Sequence, residues 1–221
     1  ILFAAPPVKD LEWSDQGVEG CFRFLKRVWR IFSDFSDDIK TAATPDEKFS
    51  TSVKELKELR RITHITIGRV TEDIEKRMQF NTAIAAIMEL VNHLYHFKEW
   101  KENQDATKLA SVIRESMEAL TMTLSPFAPH IAEEMATLLN FSCTEKPWPQ
   151  YKEELTQTDE ILIVFQVNGK VRQKVQIEAG ISDEDLKSFA LSDPKIQEWT
   201  QEKEIKKVII VPKKLVNIVV K

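Results

Sequence analysis

Hydrophobic positions follow a helical period through the first two-thirds of the chain and a two-residue period through the last third. After Ser14, apolar side chains recur every three or four residues, which predicts an amphipathic helix. Ser14 is a favourable N-cap, and Asp15 suits the positive end of the helix dipole. Acidic residues between positions 34 and 38 disfavour the opposite end, so this helix is predicted to stop near Phe35 or Ser36.

A second helix is predicted to begin in the segment from Thr44 to Glu47. Thr44 is a typical N-cap, Pro45 suits the first helical position, and Glu47 is spaced to close a capping box. The apolar stripe then continues to Ile74. Because Ile62–Gly68 combines β-branched residues with a glycine, a break in that stretch is left open.

Three more helices complete the predicted bundle, which ends near Phe141. Asn81 and Asp105 are expected to cap the first two of them. Ser125 and Pro126 interrupt the pattern, and Pro129 begins the last helix. Short connections favour antiparallel packing, so the first part of the chain is predicted to be an α-helical bundle.

The period changes to two after the Pro147–Pro149 linker, where Ile161–Val167 predicts a strand and Asn168-Gly169 a hairpin. A two-residue loop would place Val167 opposite Lys170 and set apolar residues against charged ones. A three-residue loop with a bulge instead pairs Phe165 with Val171, and we favour it because apolar side chains then meet. It puts Lys170, Arg172 and Lys174 together on the other face.

The end of the chain adds helices and two more strands. Ser182 caps one predicted helix, and Asp193-Pro194 begins another. Strands are predicted over 207–211 and 215–220. The fold class is therefore an α-helical bundle followed by a small α+β domain of ββα(α)ββ order. The predicted divisions are a connecting segment (1–14), the helical domain (15–157) and the α+β domain (158–221).

Charge and cysteine content narrow the function classes. The 221 residues include 31 Lys and Arg against 35 Asp and Glu, a net charge of −4. A protein that binds nucleic acid over its whole surface is usually basic, so any polyanion site must be local. Cys21 and Cys143 lie far apart, so neither a disulfide framework nor a zinc knuckle is indicated, and a reducing cytoplasm fits. No apolar run has the roughly 18–20 residues of a membrane span.

Candidate chemistry is confined to histidines and basic clusters. His93 and His96 lie three residues apart on a predicted helix, but no Cys or further His lies nearby in the sequence, so a structural role is favoured. No glycine-rich phosphate loop or nucleophile motif is present. The basic clusters are either solvated polar faces or phosphate contacts, which position a nucleic acid without reading its sequence. The candidate contacts are Lys26, Arg27, Arg30, Arg60, Arg61, Lys170, Arg172, Lys174, Lys213 and Lys214.

Three sets of segments carry a family resemblance: Ala4–Asp15; Phe80–Leu90 with Leu124–His130; and Gln166–Arg172 with Lys207–Pro212 and Lys214–Val219. The first resembles the part of leucyl-tRNA synthetases that follows the KMSKS loop. The second is similar to the anticodon-binding helical domain of class I synthetases for Leu, Ile, Val and Met. The third resembles the C-terminal domain of bacterial leucyl enzymes, and it is the set that discriminates among them. Lys213 departs from the expected Gly or Asn.

The resemblance implies a tRNA-binding, C-terminal part of a leucyl-tRNA synthetase, with tRNA(Leu) and the catalytic and editing domains as partners. The parent reaction joins leucine to tRNA using ATP and Mg²⁺, but the HIGH and KMSKS motifs are absent here and no catalytic residue can be carried over. The helical domain is expected to lie along the tRNA and the C-terminal domain to reach its elbow. Two alternatives stay open: a non-enzymatic helical interaction module and a natural subunit of a split synthetase.

Overall fold

The computed structural model describes residues 2–10, 12–46, 49–100, 106–158, 160–201, 203–212 and 214–221. The chain folds into two compact units, Ile1–Gln157 (the helical unit) and Thr158–Lys221 (the small unit). The predicted fold class, a helical part followed by an α+β part, is confirmed. The helices of the first unit are α1 (Asp15–Ile39), α2 (Lys54–Glu72), α3 (Phe80–Trp100), α4 (Ala106–Leu124), α5 (Pro129–Leu138) and α6 (Glu153–Thr156).

One hydrophobic core joins helices α1 to α5. Each helix turns one apolar stripe toward this core. The largest side chains that are almost fully buried come from α1, α3 and α4 and include Phe32, Phe35, Leu90, Leu94, Met117 and Leu120. Among the described residues, no helix combines the length and apolar character that crossing a bilayer requires.

Helix α1 begins as predicted but ends later. Ser14 caps it by accepting a hydrogen bond from the Gly17 amide. The helix continues to Ile39 instead of stopping near Phe35 or Ser36, so the predicted end is wrong. Ile39 is fully buried, and the guanidinium of Arg114 donates to its carbonyl oxygen at 3.1 Å. Core burial and this cationic cap outweigh the unfavourable acidic residues of the last turns.

Helix α2 begins at Lys54, so the predicted start at Thr44 and Pro45 is wrong; Glu47 lies outside the described residues. Phe49 and Val53 pack against the core from a non-helical segment, and the Arg60 guanidinium lies 4.9 Å from the Phe49 ring. Tertiary packing of these side chains overrides the local helix-start signal.

The remaining helix boundaries show where local signals succeed and fail. Helix α2 runs unbroken through Gly68, so the break left open there does not occur, and a π-helical turn, Asp73–Arg77, follows it. Asn81 lies inside the first turn of α3, not before it. Asp105, the expected cap of α4, lies outside the described residues. Pro129 begins α5 as predicted.

Within the described residues, the small unit has one four-stranded sheet in the order β2-β1-β4-β3. The strands are β1 (Glu160–Val167), β2 (Lys170–Glu178), β3 (Ile205–Val211) and β4 (Leu215–Val220), and the helices are α7 (Asp183–Ser192) and α8 (Pro194–Thr200). Strands β1 and β4 are parallel, while the other neighbours are antiparallel. Ser182 and Asp193 cap α7 and α8 as predicted. The core includes Ile163, Phe165, Leu186, Ile196, Val216 and Ile218.

The hairpin between β1 and β2 uses a two-residue turn, so the favoured three-residue loop is wrong. Asn168 and Gly169 have φ angles of 50° and 78°, and Val167 pairs with Lys170. A register shift inside β2 then pairs Phe165 with Gln173 and Ile163 with Val175. The predicted pairing of Phe165 with Val171 is therefore wrong, because Phe165 lies opposite Gln173 and Val171 lies opposite Gln166. The bulge lies within the strand and not at the turn.

Candidate nucleic-acid interface

On α1, the structure separates the three basic candidates by what they contact. The Lys26 ammonium lies 4.4 Å from the Phe22 ring centroid at the surface. Arg27 donates to the Asn92 side chain at 2.8 Å and lies 5.0 Å from the Tyr95 ring, so it joins α1 to α3. Arg30 is exposed and has no hydrogen bond or ion pair within the described part of the chain. Unlike Arg27, Lys26 and Arg30 form no hydrogen bond or ion pair in the described ranges.

Arg60 and Arg61 are both paired with carboxylates of the helical unit, Arg60 in its interior and Arg61 along α2 nearer the surface. Arg60 is only 6% exposed and forms two hydrogen bonds with the Glu115 carboxylate, at 2.7 and 3.0 Å. Arg61 forms a similar fork with Glu58, with both distances 2.7 Å. This pair of bonds holds the pKa of the Glu58 carboxyl below its usual range. Arg60 has almost no surface to offer a phosphate, which the basic cluster in the sequence did not reveal.

Glu115 is the centre of a buried polar network between α2 and α4. Besides Arg60, its carboxylate faces the His64 Nε2 at 3.2 Å. Burial raises the pKa of the Glu115 carboxyl, but hydrogen bonds from His64 and Arg60 together outweigh it, so the net shift is downward. His64 is nearly fully buried. A histidine among isoleucines, one helical turn from an arginine, was the available sequence signal.

The three basic residues of the hairpin do not share one face, contrary to the sequence prediction. Arg172 stacks on Trp199 of α8, with 3.3 Å from its guanidinium carbon to the ring centroid, and its Nε is buried without a partner among the described residues. Lys174 pairs with Val164, whose neighbours Ile163 and Phe165 point into the core. Lys174 therefore lies on the outer face of the sheet, away from the core. The bulge in β2 causes this split because it reverses the alternation of side chains.

Exposed lysines remain at the hairpin, the outer sheet face and the last turn. Lys170, Lys174 and Lys214 are exposed, and no ion pair involves them in the described ranges. Lys207 also lies on the outer face of the sheet, since its neighbour Val208 and Ile210 pack against the core. Lys207 was not named among the candidates from the sequence, although the two-residue alternation of β3 indicated its position. Lys213 lies outside the described residues. These lysines border an apolar outer surface where Leu162 and Val171 are 54% and 53% exposed.

The Asn168-Gly169 pair has a structural role. The Asn168 side chain accepts from the Val220 amide at 3.0 Å and donates to the Val220 carbonyl at 3.1 Å. The Gly169 amide donates to the Asn217 side chain at 3.0 Å. Two segments that carried the family resemblance are therefore bonded to each other, with the hairpin turn fixed to the last strand.

His93 and His96 line a surface pocket of about 250 Å³ together with Lys54, Glu55, Glu58, Leu59 and Phe97. No group of three or more His, Cys, Asp or Glu side chains suited to a metal ion occurs among the described residues. Cys143 is half-buried, and burial together with the nearby Glu133 carboxylate raises the pKa of its thiol to about 11. A thiol with this pKa stays protonated at neutral pH and is a poor nucleophile.

Comparison with known proteins identifies a family and a set of relatives. Residues 56–187 match the family described as the anticodon-binding domain of tRNA ligase. This match begins inside α2 and ends inside α7, so it covers parts of both units. The leucine–tRNA ligase of Syntrophobacter fumaroxidans is 46% identical over 99% of the chain, and that of Syntrophus aciditrophicus is 48% identical over 100%. The chain spans 26% of the length of each.

A solved structure resembles the whole chain. It is a leucyl-tRNA synthetase (LeuRS) of Agrobacterium radiobacter K84, crystallised as a ternary complex with tRNA and LeuAMS. The two share 32% sequence identity with a TM-score of 0.78, and the match covers 100% of this chain and 28% of the other. The likeness therefore extends over the helical unit and the small unit alike.

Proposed function

Since this chain belongs to the family of anticodon-binding domains of tRNA ligases, we propose that it is the part of a leucine–tRNA ligase that docks leucine tRNA. The observation that carries the proposal is the whole-chain likeness to a LeuRS crystallised with tRNA. The leucine–tRNA ligases at 45–48% identity support the same specificity. The chain spans about a quarter of their length, so leucine activation belongs to the remaining part.

The proposed tRNA contacts are the candidate cations from the sequence that stay exposed and unbonded among the described residues, with Lys207 added. They are Lys26 and Arg30 on α1, and Lys170, Lys174, Lys207 and Lys214 in the small unit. Lys213 stays in the proposal on its sequence position alone. Arg60 is left out because it is buried against Glu115, and Arg27, Arg61 and Arg172 are bound within their own units. These contacts would go to phosphates and to tRNA shape.

The remaining three-quarters of the ligase would be the second partner, covalently joined or as a separate subunit. ATP and Mg²⁺ would be bound there, and leucine would be joined to the tRNA there. We expect this to take place in the cytoplasm. This chain would contribute docking energy and orientation to that reaction.

Binding of labelled leucine tRNA to the 221-residue chain, followed by fluorescence anisotropy, tests the proposal. We expect saturable binding that weakens steeply between low and moderate salt, because phosphate contacts release counterions. An isoleucine tRNA and an unstructured RNA of equal length are the controls, and the unstructured RNA should bind more weakly at every salt concentration. Equal affinity for all three RNAs, or none at low salt, would contradict docking and favour a protein-interaction module.

A further inference from the structure

The segment from Pro147 to Thr156, here called the strap, is fastened along α2 at three points. At the first, the Trp148 Nε1 donates to the Thr71 hydroxyl at 2.8 Å, and the Trp148 side chain packs on the helical core. At the second, the Tyr151 ring covers Gly68. A Cβ added at Gly68 would lie 3.4 Å from two atoms of that ring, so a side chain larger than alanine would displace the tyrosine.

The third point joins the strap to the buried network. The Lys152 amide donates to the Nδ1 of His64 at 3.2 Å. Because Nδ1 accepts this bond, the ring proton is on Nε2, which faces the Glu115 carboxylate at 3.2 Å. A buried histidine thus connects the strap backbone, through Glu115, to α4. Helix α6, the last turn of the strap, also packs on α2.

The three anchor points follow one face of the helix in reverse order along the chain. The anchors on α2 are three and four positions apart, which is the spacing of one helix face. Thr71 holds Trp148, Gly68 lies under Tyr151, and His64 holds Lys152. The strap is therefore laid antiparallel on α2 for most of its length. The linker predicted from its proline content is, in the structure, part of the helical unit.

Fastening shortens the chain that joins the two units. From Thr156, where α6 ends, to Glu160, where β1 begins, an extended chain spans at most roughly 14 Å. If the strap were released back to Lys146, the same calculation gives roughly 50 Å. The anchors on α2 thus set how far the small unit can travel from the helical unit.

We propose that the strap, held by His64, Gly68 and Thr71, fixes the point from which the small unit departs and so positions its tRNA contacts. The positioning part rests on the proposed function, whereas the limit on travel does not. Effective concentration falls as about the −3/2 power of tether length, and lengthening from about four to fourteen residues lowers it about sixfold. Releasing the strap should therefore weaken tRNA binding about sixfold with every cationic contact still present.

Distances between the two units test the limit on travel. Nitroxide labels are placed by Asp37→Cys and Glu184→Cys in a chain that also carries Cys21→Ser and Cys143→Ser, and the distance distribution is measured by pulsed electron resonance. Two releasing variants are compared, Gly68→Leu and the double variant Trp148→Ala/Tyr151→Ala. We expect each to broaden the distribution at least twofold.

Two control variants show that broadening comes from the strap. Gly68→Ala removes the same glycine but places its Cβ at ordinary contact distance from the ring, so the strap should stay in place. Gly20→Leu adds the same side chain on α1, where nothing lies within 4 Å of its Cβ. Both should keep the parent width, and helical circular dichroism checks that all variants fold. A parent width in both releasing variants would overturn the proposal.

Affinity for leucine tRNA, measured on the same variants, tests the positioning role. We expect both releasing variants to bind about sixfold more weakly with an unchanged salt slope, and both controls to bind like the parent. Broadened distances with unchanged affinity would overturn the positioning role. If the parent chain bound no tRNA, the proposed function would fail instead, while the distance widths would still decide whether the strap limits the small unit.

Discussion

The helical unit and the small unit use their basic side chains in opposite ways. In the helical unit, several arginines are held by hydrogen bonds within that unit, whereas in the small unit, four lysines extend from the strands and a turn into solvent. These basic residues looked alike in the sequence, yet the structure separates the bonded arginines from the exposed lysines. Arg27, Arg60 and Arg114 join helices, Arg61 pairs with Glu58 within α2, and the extended residues are Lys170, Lys174, Lys207 and Lys214.

The difference follows from geometry. A guanidinium presents a fixed fork that matches a carboxylate or two carbonyl groups, so it can be buried with its donors satisfied. Arg114 shows this, since it donates to the carbonyls of Ile39 and Leu139, at the ends of α1 and α5, and also to Glu118. A lysine is a strongly hydrated point charge on a flexible stem, and burying it without a partner is costly.

The largest expected effect is the loss of the carboxylate that pairs with Arg60. Glu115→Ala would leave a buried guanidinium without its counter-ion and His64 without its acceptor. We expect the free energy of unfolding of the helical unit to fall by about 3–5 kcal/mol. Urea unfolding followed by far-ultraviolet circular dichroism measures it.

The matched control for that variant is Glu58→Ala, because Glu58 forms the same kind of fork with Arg61 but is 43% exposed. An exposed pair contributes about 0–1 kcal/mol, so this change should be nearly silent. Equal losses in the two variants would mean that burial does not distinguish the two arginines.

In the small unit, Asn168 joins the hairpin turn to the last strand through side-chain hydrogen bonds. Asn168→Ala removes two hydrogen bonds to Val220 and places alanine at a φ of 50°. We expect a loss of about 2–3 kcal/mol, seen as faster hydrogen exchange of the β1 and β4 amides. Asn140→Ala, at a φ of 61° but without a side-chain hydrogen bond in the described part of the chain, should cost only about 1 kcal/mol. A larger effect at Asn140 would refute the fastening role of Asn168.

A smaller effect is expected from acid. The pKa of Glu115 is lowered in the folded helical unit from an ordinary value of 4.5, and Glu58 shifts the same way. A depressed carboxyl pKa gives stability that is complete above about pH 4.5 and is lost as pH falls through the folded value. Unfolding of the helical unit should therefore become steeply pH-dependent below pH 4.5. Glu115→Gln should flatten that dependence, and an unchanged slope would contradict the network.

Sequence periodicity predicted the helical and strand-forming regions because each region has a single dominant apolar face. Ser14, Ser182 and Asp193 were also identified, since a cap bonds within its own turn. The start of α2 failed because the competing contacts, from Phe49 and Val53 to the core, are distant in sequence. Local patterns contain no information about such partners.

The candidate interface was predictable only where alternation fixes the face. The exposed positions of Lys174 and Lys207 follow from strand periodicity once the register is known. The position of Arg172 depends on the bulge in β2, which no residue type in the sequence indicates. Arg60 could not be separated from Arg61 by spacing, because its burial depends on Glu115, which is 55 positions away.

We propose that accessible lysines of the small unit, and not the hydrogen-bonded arginines of the helical unit, contact tRNA. Binding of leucine tRNA to the chain over a salt series tests it, comparing Lys174→Ala/Lys207→Ala/Lys214→Ala with Arg61→Gln. Each lost phosphate contact lowers the slope of log affinity against log salt by roughly 0.7–0.9. We expect the slope to fall by roughly 2–3 for the triple variant and to stay at the parent value for Arg61→Gln. A parent slope in the triple variant, with a reduced slope in Arg61→Gln, would contradict it.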